Sequence, residues 1–367
     1  PDALMIDLVV ANASQILTCC APGETPPFGG KNQASIGLAE GGVAIDDGRI
    51  VEVGPGAAKL QARETLDAGG GVVLPGFVDC HTHPVFAGAR AAEFEERAKG
   101  VSYEELAKRG GGIRASMKQL REASDDVLHA AVRRHLDGFL AFGTTTIEAK
   151  SGYGLSLEDE RRSLRALAQD HPVEVVRTCL AAHAVPPEFD GRREAYVDLV
   201  VDQILPAVAE EGLAEYCDVF CELGVFSFDE SERILRAGAS LGLRPRIHAD
   251  QRSRSGGARI ACRVGAITAD HLEYATREDA RALKEAGVIA VLLPAANHFL
   301  DQEQRPVARA MVNVGLPVAL ATDFNPGTAP TQSMPLVLNL AVVRYISDRI
   351  GVMYLGQLVE IGPSKEI

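Results

Sequence analysis

Two patterns of hydrophobic and polar positions divide the chain near residue 70. Before it, short apolar stretches at 8–10, 43–45 and 49–54 alternate with turn residues, and Asp47 and Gly48 mark a β-hairpin. We therefore predict a small β domain over residues 1–70, the N-terminal part of an incomplete β-sandwich. After residue 70, apolar strand-like runs alternate with long amphipathic stretches.

The second pattern contains eight apolar runs. They cover residues 72–83, 144–150, 173–183, 217–222, 243–248, 266–271, 288–294 and 317–323. Helical periodicity fills many of the gaps, at 128–142, 157–169, 194–210, 231–241, 277–286 and 306–314. Eight strand-then-helix units are typical of a (β/α)8 TIM barrel, an α/β fold that we place at residues 71–339.

Polar side chains stand at the carboxyl ends of these runs. In a barrel those ends surround the active site, so side chains distant in sequence converge there. The set comprises His81, His83, Lys150, Tyr153, His183, Glu222, His248, His271 and Asp323.

Composition and charge reduce the range of possible functions and partners. The 367 residues carry a net charge of −13, and no basic cluster suits a polyanion, so nucleic acid and anionic membranes are not expected partners. The seven cysteines include no C-x-x-C pair, which favours a reducing cytoplasm. The N-terminus has no signal-peptide pattern, and the apolar run near residues 288–296 is shorter than the roughly 20 residues of a membrane helix.

A metal site is the clearest chemical prediction. His81 and His83 are two residues apart, so on a strand they point to the same side. His-x-His alone also occurs in ordinary structural pairs, but His248 and Asp323 at other strand ends complete a donor set for one Zn²⁺ or Fe ion. Asp323 is the candidate general base as well as a ligand; its alternative role is a helix cap.

Other side chains at the strand ends suggest how the site treats its substrate. His271 could orient water or the leaving group, or be an ordinary buried histidine. Lys150 is open to two interpretations, a carboxylated bridge between two metals or a charge-pairing residue, and we favour the latter. Arg90, Tyr153, His183 and Gln251 form a mixture suited to an anionic, amide-bearing small molecule.

Six stretches in order make the chain resemble the imidazolonepropionases of the amidohydrolase superfamily. They are HTHPVFAGAR (81–90), KSGYGL (150–155), AHAVPP (182–187), IHADQ (247–251), ADHL (269–272) and ATDFNPG (321–327). The resemblance implies metal-dependent hydrolysis of the cyclic amide C–N bond of 4-imidazolone-5-propanoate, giving N-formimidoyl-L-glutamate in histidine degradation.

The same resemblance assigns residues. It implies one metal ion held by His81, His83, His248 and Asp323, and substrate contacts from Arg90, Tyr153, His183, Gln251, Asn325, Gly327 and Thr328. Its catalytic set is Asp323, His271 and Gln251, where Gln251 stands at a position that some relatives fill with Glu, so it hydrogen-bonds without transferring a proton.

Three segments depart from the family pattern. Residues 252–257 and the predicted loop 295–298 differ from it, and residues 340–367 form an atypical tail. The tail resembles a segment of an oligopeptide ABC transporter ATPase without its phosphate-binding elements, and its pattern predicts one amphipathic helix followed by a β-hairpin.

Several alternatives remain open from sequence. One is another cyclic amidohydrolase or a deaminase, although Arg90, Tyr153 and His183 suit a substrate that bears a carboxylate. Another is a non-catalytic or truncated fusion relic that binds metal without turnover. We expect a small-molecule substrate, with a homodimer among the assembly states open to the chain.

Overall fold

The computed structural model describes residues 5–18, 37–101, 105–106, 109–346, 349–354 and 357–363. The chain divides into two compact units, Pro1–Gly76 and Phe77–Ile367. Within the described residues, no helix combines the length and the apolar character needed to cross a membrane.

The first unit is built on a β-sheet. Its strands are β1 (Ile6–Leu17), β2 (Leu38–Asp46), β3 (Arg49–Gly54), β4 (Ala62–Asp67) and β5 (Val72–Val73), in the order β3-β2-β1-β4, with β5 also paired to β1. The predicted hairpin joins β2 to β3. Asp47 and Gly48 at its tip have φ values of 48° and 68°, the left-handed pair that a tight hairpin turn requires.

The second unit contains eight parallel strands in sequential order. They are β6 (Phe77–Thr82), β7 (Thr144–Lys150), β8 (Glu174–Ala182), β9 (Tyr216–Cys221), β10 (Arg244–Ala249), β11 (Thr268–His271), β12 (Ile289–Leu292) and β13 (Val318–Leu320). Beyond β13 the chain returns to β6, where the Asp323 amide donates to the His81 carbonyl at 3.1 Å and the His83 amide to the Phe324 carbonyl at 2.8 Å. The predicted α/β barrel is confirmed.

Helices follow the strands and cover the barrel. They are α1 (Ala91–Ala98), α2 (Ile113–Glu122), α3 (Asp125–Ala141), α4 (Leu157–Ala166), α5 (Arg193–Leu199), α6 (Leu205–Glu210), α7 (Phe228–Ser240), α8 (Gly257–Val264), α9 (Arg277–Glu285), α10 (Pro294–Phe299), α11 (Ala308–Val314) and α12 (Met334–Ala341). Their apolar faces pack on the strands, as Leu128, Leu136 and Phe139 of α3 do from fully buried positions.

Three sequence predictions need correction. The first run is split, because Pro75 and Gly76 separate β5 in the N-terminal sheet from β6 in the barrel. The helix predicted at 194–210 is interrupted by a π-helical segment, Val200–Ile204, just before Pro206, whose missing N–H cannot continue the α-helical ladder. Residues 295–298, predicted as a loop, lie in α10.

The C-terminal segment continues α12 and then reverses. A π-helical segment, Val342–Ile346, follows α12, and β14 (Arg349–Tyr354) pairs antiparallel with β15 (Gln357–Pro363). Gly356, at the predicted hairpin turn, lies outside the described residues.

Candidate active site

The four predicted metal ligands converge at the mouth of the barrel. The Nε2 atom of His83 is 3.2 Å from Nε2 of His81 and 3.4 Å from Nε2 of His248. Oδ1 of Asp323 lies 3.5 Å from the His81 nitrogen and 3.3 Å from that of His83. All four side chains are buried, so their donor atoms face one another in a space shielded from bulk water.

This spacing fits a metal ion. Ligands on a tetrahedral Zn²⁺ at 2.0–2.1 Å are about 3.3 Å apart, which is close to the four donor–donor distances of 3.2–3.5 Å given above. Nitrogen donors with one carboxylate suit Zn²⁺ or Fe²⁺. His81, His248 and His271 form a second group whose ring nitrogens lie within 4.8 Å of one another, so His271 borders the same point.

Buried carboxylates orient two of the histidines. Nδ1 of His81 is 2.6 Å from Oδ2 of Asp270, and Nδ1 of His248 is 3.1 Å from Oδ2 of Asp218. A carboxylate on one ring nitrogen favours the tautomer that leaves the other nitrogen unprotonated and able to bind a metal. Asp270 and Asp218 therefore turn both Nε2 atoms toward the shared centre.

Lys150 balances these acids beneath the site. Its Nζ lies 2.8 Å from Asp218 Oδ2, 2.9 Å from Glu148 Oε1 and 3.8 Å from Asp270 Oδ2, and its side chain is fully buried. Burial by itself would raise the pKa of Asp218, but its interactions with His248 and Lys150, hydrogen bonds included, outweigh it and hold that pKa well below its usual range. Lys150 occupies the charge-pairing position that we favoured from sequence.

Sequence reasoning missed Asp218, Asp270 and Arg246. Arg246 lies 3.6 Å from Asp270 and donates to the Cys80 carbonyl at 2.6 Å. A signal existed for all three, because each is a charged residue within a run otherwise rich in apolar positions. Such a residue is buried only with a partner, and partners from other strands cannot be read from one run.

The backbone turns sharply where two predicted catalytic residues stand. His271 has φ 77° and Asp323 has φ 55°, a left-handed conformation that is uncommon for residues other than glycine. Strain of this kind is held in place by surrounding contacts and occurs preferentially at functional sites. Here the two residues lie where the chain turns, at the carboxyl end of β11 and shortly after β13.

A cavity of about 720 Å³ opens beside the four donors. Among the metal, substrate and catalytic residues that the resemblance assigns, all except His81 and Gly327 line it, namely His83, Arg90, Tyr153, His183, His248, Gln251, His271, Asp323, Asn325 and Thr328. This volume suits a small molecule.

Arg90 is the buried cation of this cavity. It is the N-cap residue of α1, its Nε lies 3.4 Å from Glu93 Oε2, and only 4% of its side chain is exposed. Gly327 does not line the cavity but makes room for Arg90, because a Cβ on that glycine would meet the guanidinium at 1.4 Å. The substrate contact predicted for Gly327 stays a prediction, and the structure shows a steric reason for a glycine at this position.

Tyr153 and His183 form another part of the wall. Nδ1 of His183 is 2.9 Å from the Gly152 carbonyl. Burial lowers the pKa of His183 well below its ordinary value, and the neighbouring His83 and His248 lower it further. His183 is therefore neutral at neutral pH, with Nδ1 donating. The Tyr153 loop is held by the Glu160 carboxylate, which accepts from the amides of Gly152, Gly154 and Leu155.

Asn325 organises the turn after β13. Its side chain donates to the Asp323 carbonyl at 2.7 Å and accepts from the amides of Gly327 at 2.9 Å and Thr328 at 2.7 Å. The structure thus uses Asn325 to shape the loop that presents Asp323 and Thr328 to the cavity. Gln251, at the opposite side, follows Asp250, whose carboxylate accepts from the Gly256 and Ala258 amides.

The sequence is similar to curated imidazolonepropionases. That of Solibacter usitatus is 51% identical over 344 residues, covering 92% of this chain and 82% of the relative. That of Geobacillus kaustophilus is 47% identical with the same coverages, and that of Clostridium tetani is 42% identical, covering 98% of this chain and 88% of the relative. No family model matches the sequence.

Solved structures share the fold at low sequence identity. An adenosine deaminase from Xanthomonas campestris with bound zinc superimposes with a TM-score of 0.63 at 15% identity, covering 92% of this chain and 73% of that chain. A variant triazine hydrolase also gives 0.63, at 16% identity, covering 88% and 72%. At this identity the likeness supports the barrel architecture.

Proposed function

The chain belongs to the imidazolonepropionase family, and on that premise we propose that the cavity at the barrel mouth is its active site. The enzyme hydrolyses the cyclic amide C–N bond of 4-imidazolone-5-propanoate to give N-formimidoyl-L-glutamate in histidine degradation. Identities of 42–51% over most of the chain favour this activity over a deaminase, another cyclic amidohydrolase or an inactive relic.

His81, His83, His248 and Asp323 hold one Zn²⁺ or Fe²⁺ ion in this proposal. The support is the spacing of 3.2–3.5 Å among their donor atoms. A bound ion of this kind polarises a carbonyl and makes water more acidic. Asp270 and Asp218 keep the imidazoles oriented toward it.

Arg90 binds the propanoate carboxylate of the substrate. Its guanidinium is a planar fork that matches a carboxylate in a bidentate way, and its burial removes competing water. Tyr153, His183, Gln251 and Thr328 surround the ring. Asn325, with Gly327, acts through the loop that carries Asp323 and Thr328.

Asp323 and His271 move and stabilise charge during ring opening. Water adds to the ring carbonyl carbon, and Asp323 accepts the proton that the water loses. The C–N bond then breaks, and that proton passes to the departing ring nitrogen. His271 donates a hydrogen bond to the carbonyl oxygen as negative charge develops there, while Gln251 supplies only hydrogen bonds.

The single observation that carries the proposal is that His81, His83 and Asp323 bring their donor atoms within 4.8 Å of one another, with His248 3.4 Å from His83, beside a cavity that contains a buried arginine. The test is hydrolysis of 4-imidazolone-5-propanoate by the purified chain with added Zn²⁺, with product identified by mass spectrometry. We expect turnover that His81→Ala abolishes, whereas His129→Ala, the same change on the exposed face of α3, leaves it intact. A folded, metal-loaded protein without turnover, or a fully active His81→Ala variant, would overturn it.

We place the enzyme in the cytoplasm. The cysteines of the described residues, Cys80, Cys179, Cys217, Cys221 and Cys262, are all free thiols. Unpaired, largely buried cysteines are typical of reducing compartments, which supports this location.

A further inference from the structure

A buried tyrosine connects the atypical C-terminal segment to the barrel. Tyr345 lies in Val342–Ile346 and is only 8% exposed. Its hydroxyl donates to Oδ1 of Asn297, on α10, at 2.9 Å.

Asn297 links Tyr345 to residues that lie nearer the active site. Its Nδ2 donates to Gln302 Oε1 at 2.7 Å and to Glu273 Oε1 at 3.2 Å. If the amide were reversed, its carbonyl oxygen would face two acceptor oxygens, so this orientation is set by its partners. The Tyr345 hydroxyl provides the donor that the buried carbonyl oxygen needs.

Glu273 connects Asn297 to His271. Its Oε1 lies 3.7 Å from Nδ1 of His271, beyond hydrogen-bond distance but within reach of a small movement. Nδ1 of His271 and Oε2 of Glu273 are both buried without a hydrogen-bond partner in the described part of the chain. The position of this carboxylate therefore decides whether His271 gains a partner on its Nδ1.

We infer that Tyr345, Asn297 and Glu273 form a positioning chain that fixes the orientation of the His271 ring at the cavity. The segment after α12 thus contributes to the active site through two hydrogen bonds and the approach of Glu273 to His271, without touching the substrate. The inference rests on the proposed function only for the catalytic role of His271. The contacts themselves concern the orientation of one ring.

Tyr345→Phe removes the hydroxyl and keeps the aromatic ring. We expect kcat to fall roughly threefold to tenfold with KM unchanged. Residues coupled in one hydrogen-bond network have interaction free energies of the size that such a change in rate requires. Tyr196→Phe is the matched control: Tyr196 is fully buried, its hydroxyl donates to the Ala181 carbonyl at 2.7 Å, and its ring contacts Phe189 and Phe226, which are not part of the proposed chain. The control should lower the melting temperature similarly and leave kcat unchanged.

A second readout does not depend on turnover. Nitrogen-15 NMR of labelled histidine reports the hydrogen bonding of each ring nitrogen, and His271→Gln identifies the His271 signals. Tyr345→Phe should shift those signals, and Tyr196→Phe should not. In a Glu273→Gln background, Tyr345→Phe should produce no further loss of kcat, since the chain is already broken.

Two results would overturn the inference. One is a His271 spectrum that is identical in wild type and Tyr345→Phe. The other is a kcat loss of equal size in Tyr345→Phe and Tyr196→Phe. A wild-type protein without turnover would contradict the proposed function instead, and the NMR comparison would still decide whether Tyr345 positions His271.

Discussion

The two sides of the cavity are built differently. On one side, which we call the strand side, His81, His248 and the acids Asp218 and Asp270 stand on barrel strands and are backed by buried Lys150. On the other, the loop side, Arg90, Tyr153, Asn325 and Thr328 stand on segments beyond the strand ends, and carboxylate or amide side chains hold several of those segments through backbone N–H groups.

The difference separates two tasks. Strands fix side chains precisely, and the strand side carries two of the four proposed metal ligands, His81 and His248, with the acids that orient them. The other two, His83 and Asp323, lie one and three residues beyond the ends of β6 and β13. Loops can vary without disturbing the barrel, and the loop side carries the groups that suit the substrate carboxylate and ring. Changes on the strand side should therefore alter metal content and stability, and changes on the loop side should alter KM.

The largest effect is expected from Lys150→Met. This change leaves Glu148, Asp218 and Asp270 buried without their shared lysine, and breaking a buried ion pair costs about 3–5 kcal/mol. Chemical denaturation should show that loss in the free energy of unfolding. Lys118→Met, which removes an exposed lysine from a surface pair with Glu122, should change it by less than about 1 kcal/mol. Equal losses of unfolding free energy in Lys150→Met and Lys118→Met would contradict the expectation that the buried lysine stabilises the fold more than the exposed one.

A smaller effect, confined to the loop side, is expected from Arg90→Met. Losing a hydrogen bond to a charged group costs about 1.5–3 kcal/mol, so KM for the anionic substrate should rise roughly tenfold to a hundredfold. Steady-state kinetics should show this rise with metal content unchanged. If kcat fell and KM did not change, Arg90 would not be the carboxylate anchor.

The smallest effect per residue is the pH dependence of the metal-free protein. Burial lowers the pKa of His83 and lowers that of His248 to about 3, while the unfolded chain protonates both near 6.5. Their contribution to stability is therefore full above pH 6.5 and is lost as the pH falls toward the folded values. His81 contributes a smaller slope of opposite sign near pH 6.5, because burial and the charge of Lys150 are outweighed by the hydrogen bonds that it makes to Asp270 and Asp323, which raise its pKa to about 9.

Denaturant titrations at pH 6.5 and 5.5 measure this dependence. Each of the two histidines should contribute up to about 1.4 kcal/mol per pH unit, and added Zn²⁺ should reduce the loss because it holds both rings deprotonated. A metal-free protein equally stable at both pH values would contradict the assignment of two buried, neutral histidines.

The barrel could be predicted from the sequence because each strand corresponds to an apolar run of its own. β7 begins and ends where its apolar run does, at Thr144 and Lys150, and His81 and His83 share a side because strand geometry requires it. Barrel topology then brought His248 and Asp323 to the same face. Such inferences need only periodicity and the location of strand ends.

Other features depend on contacts between distant segments. The carboxylates of Asp218 and Asp270 acquire their roles only opposite His248 and His81, and Gly327 is required only because Arg90 packs against it. The left-handed backbone at His271 and Asp323 is likewise imposed by the tertiary structure: Asp and His adopt positive φ more often than most residues other than glycine, but it is uncommon for them and is held by surrounding contacts. No single run of sequence contains that information.

The most direct test of the division between the two sides is the bound metal per chain, measured by elemental analysis after dialysis against Zn²⁺ and removal of the free ion. We predict one ion per chain for the wild type and for Arg90→Met, and none for His81→Ala. Metal retained by His81→Ala, or lost from Arg90→Met, would contradict the assignment of metal binding to the strand side.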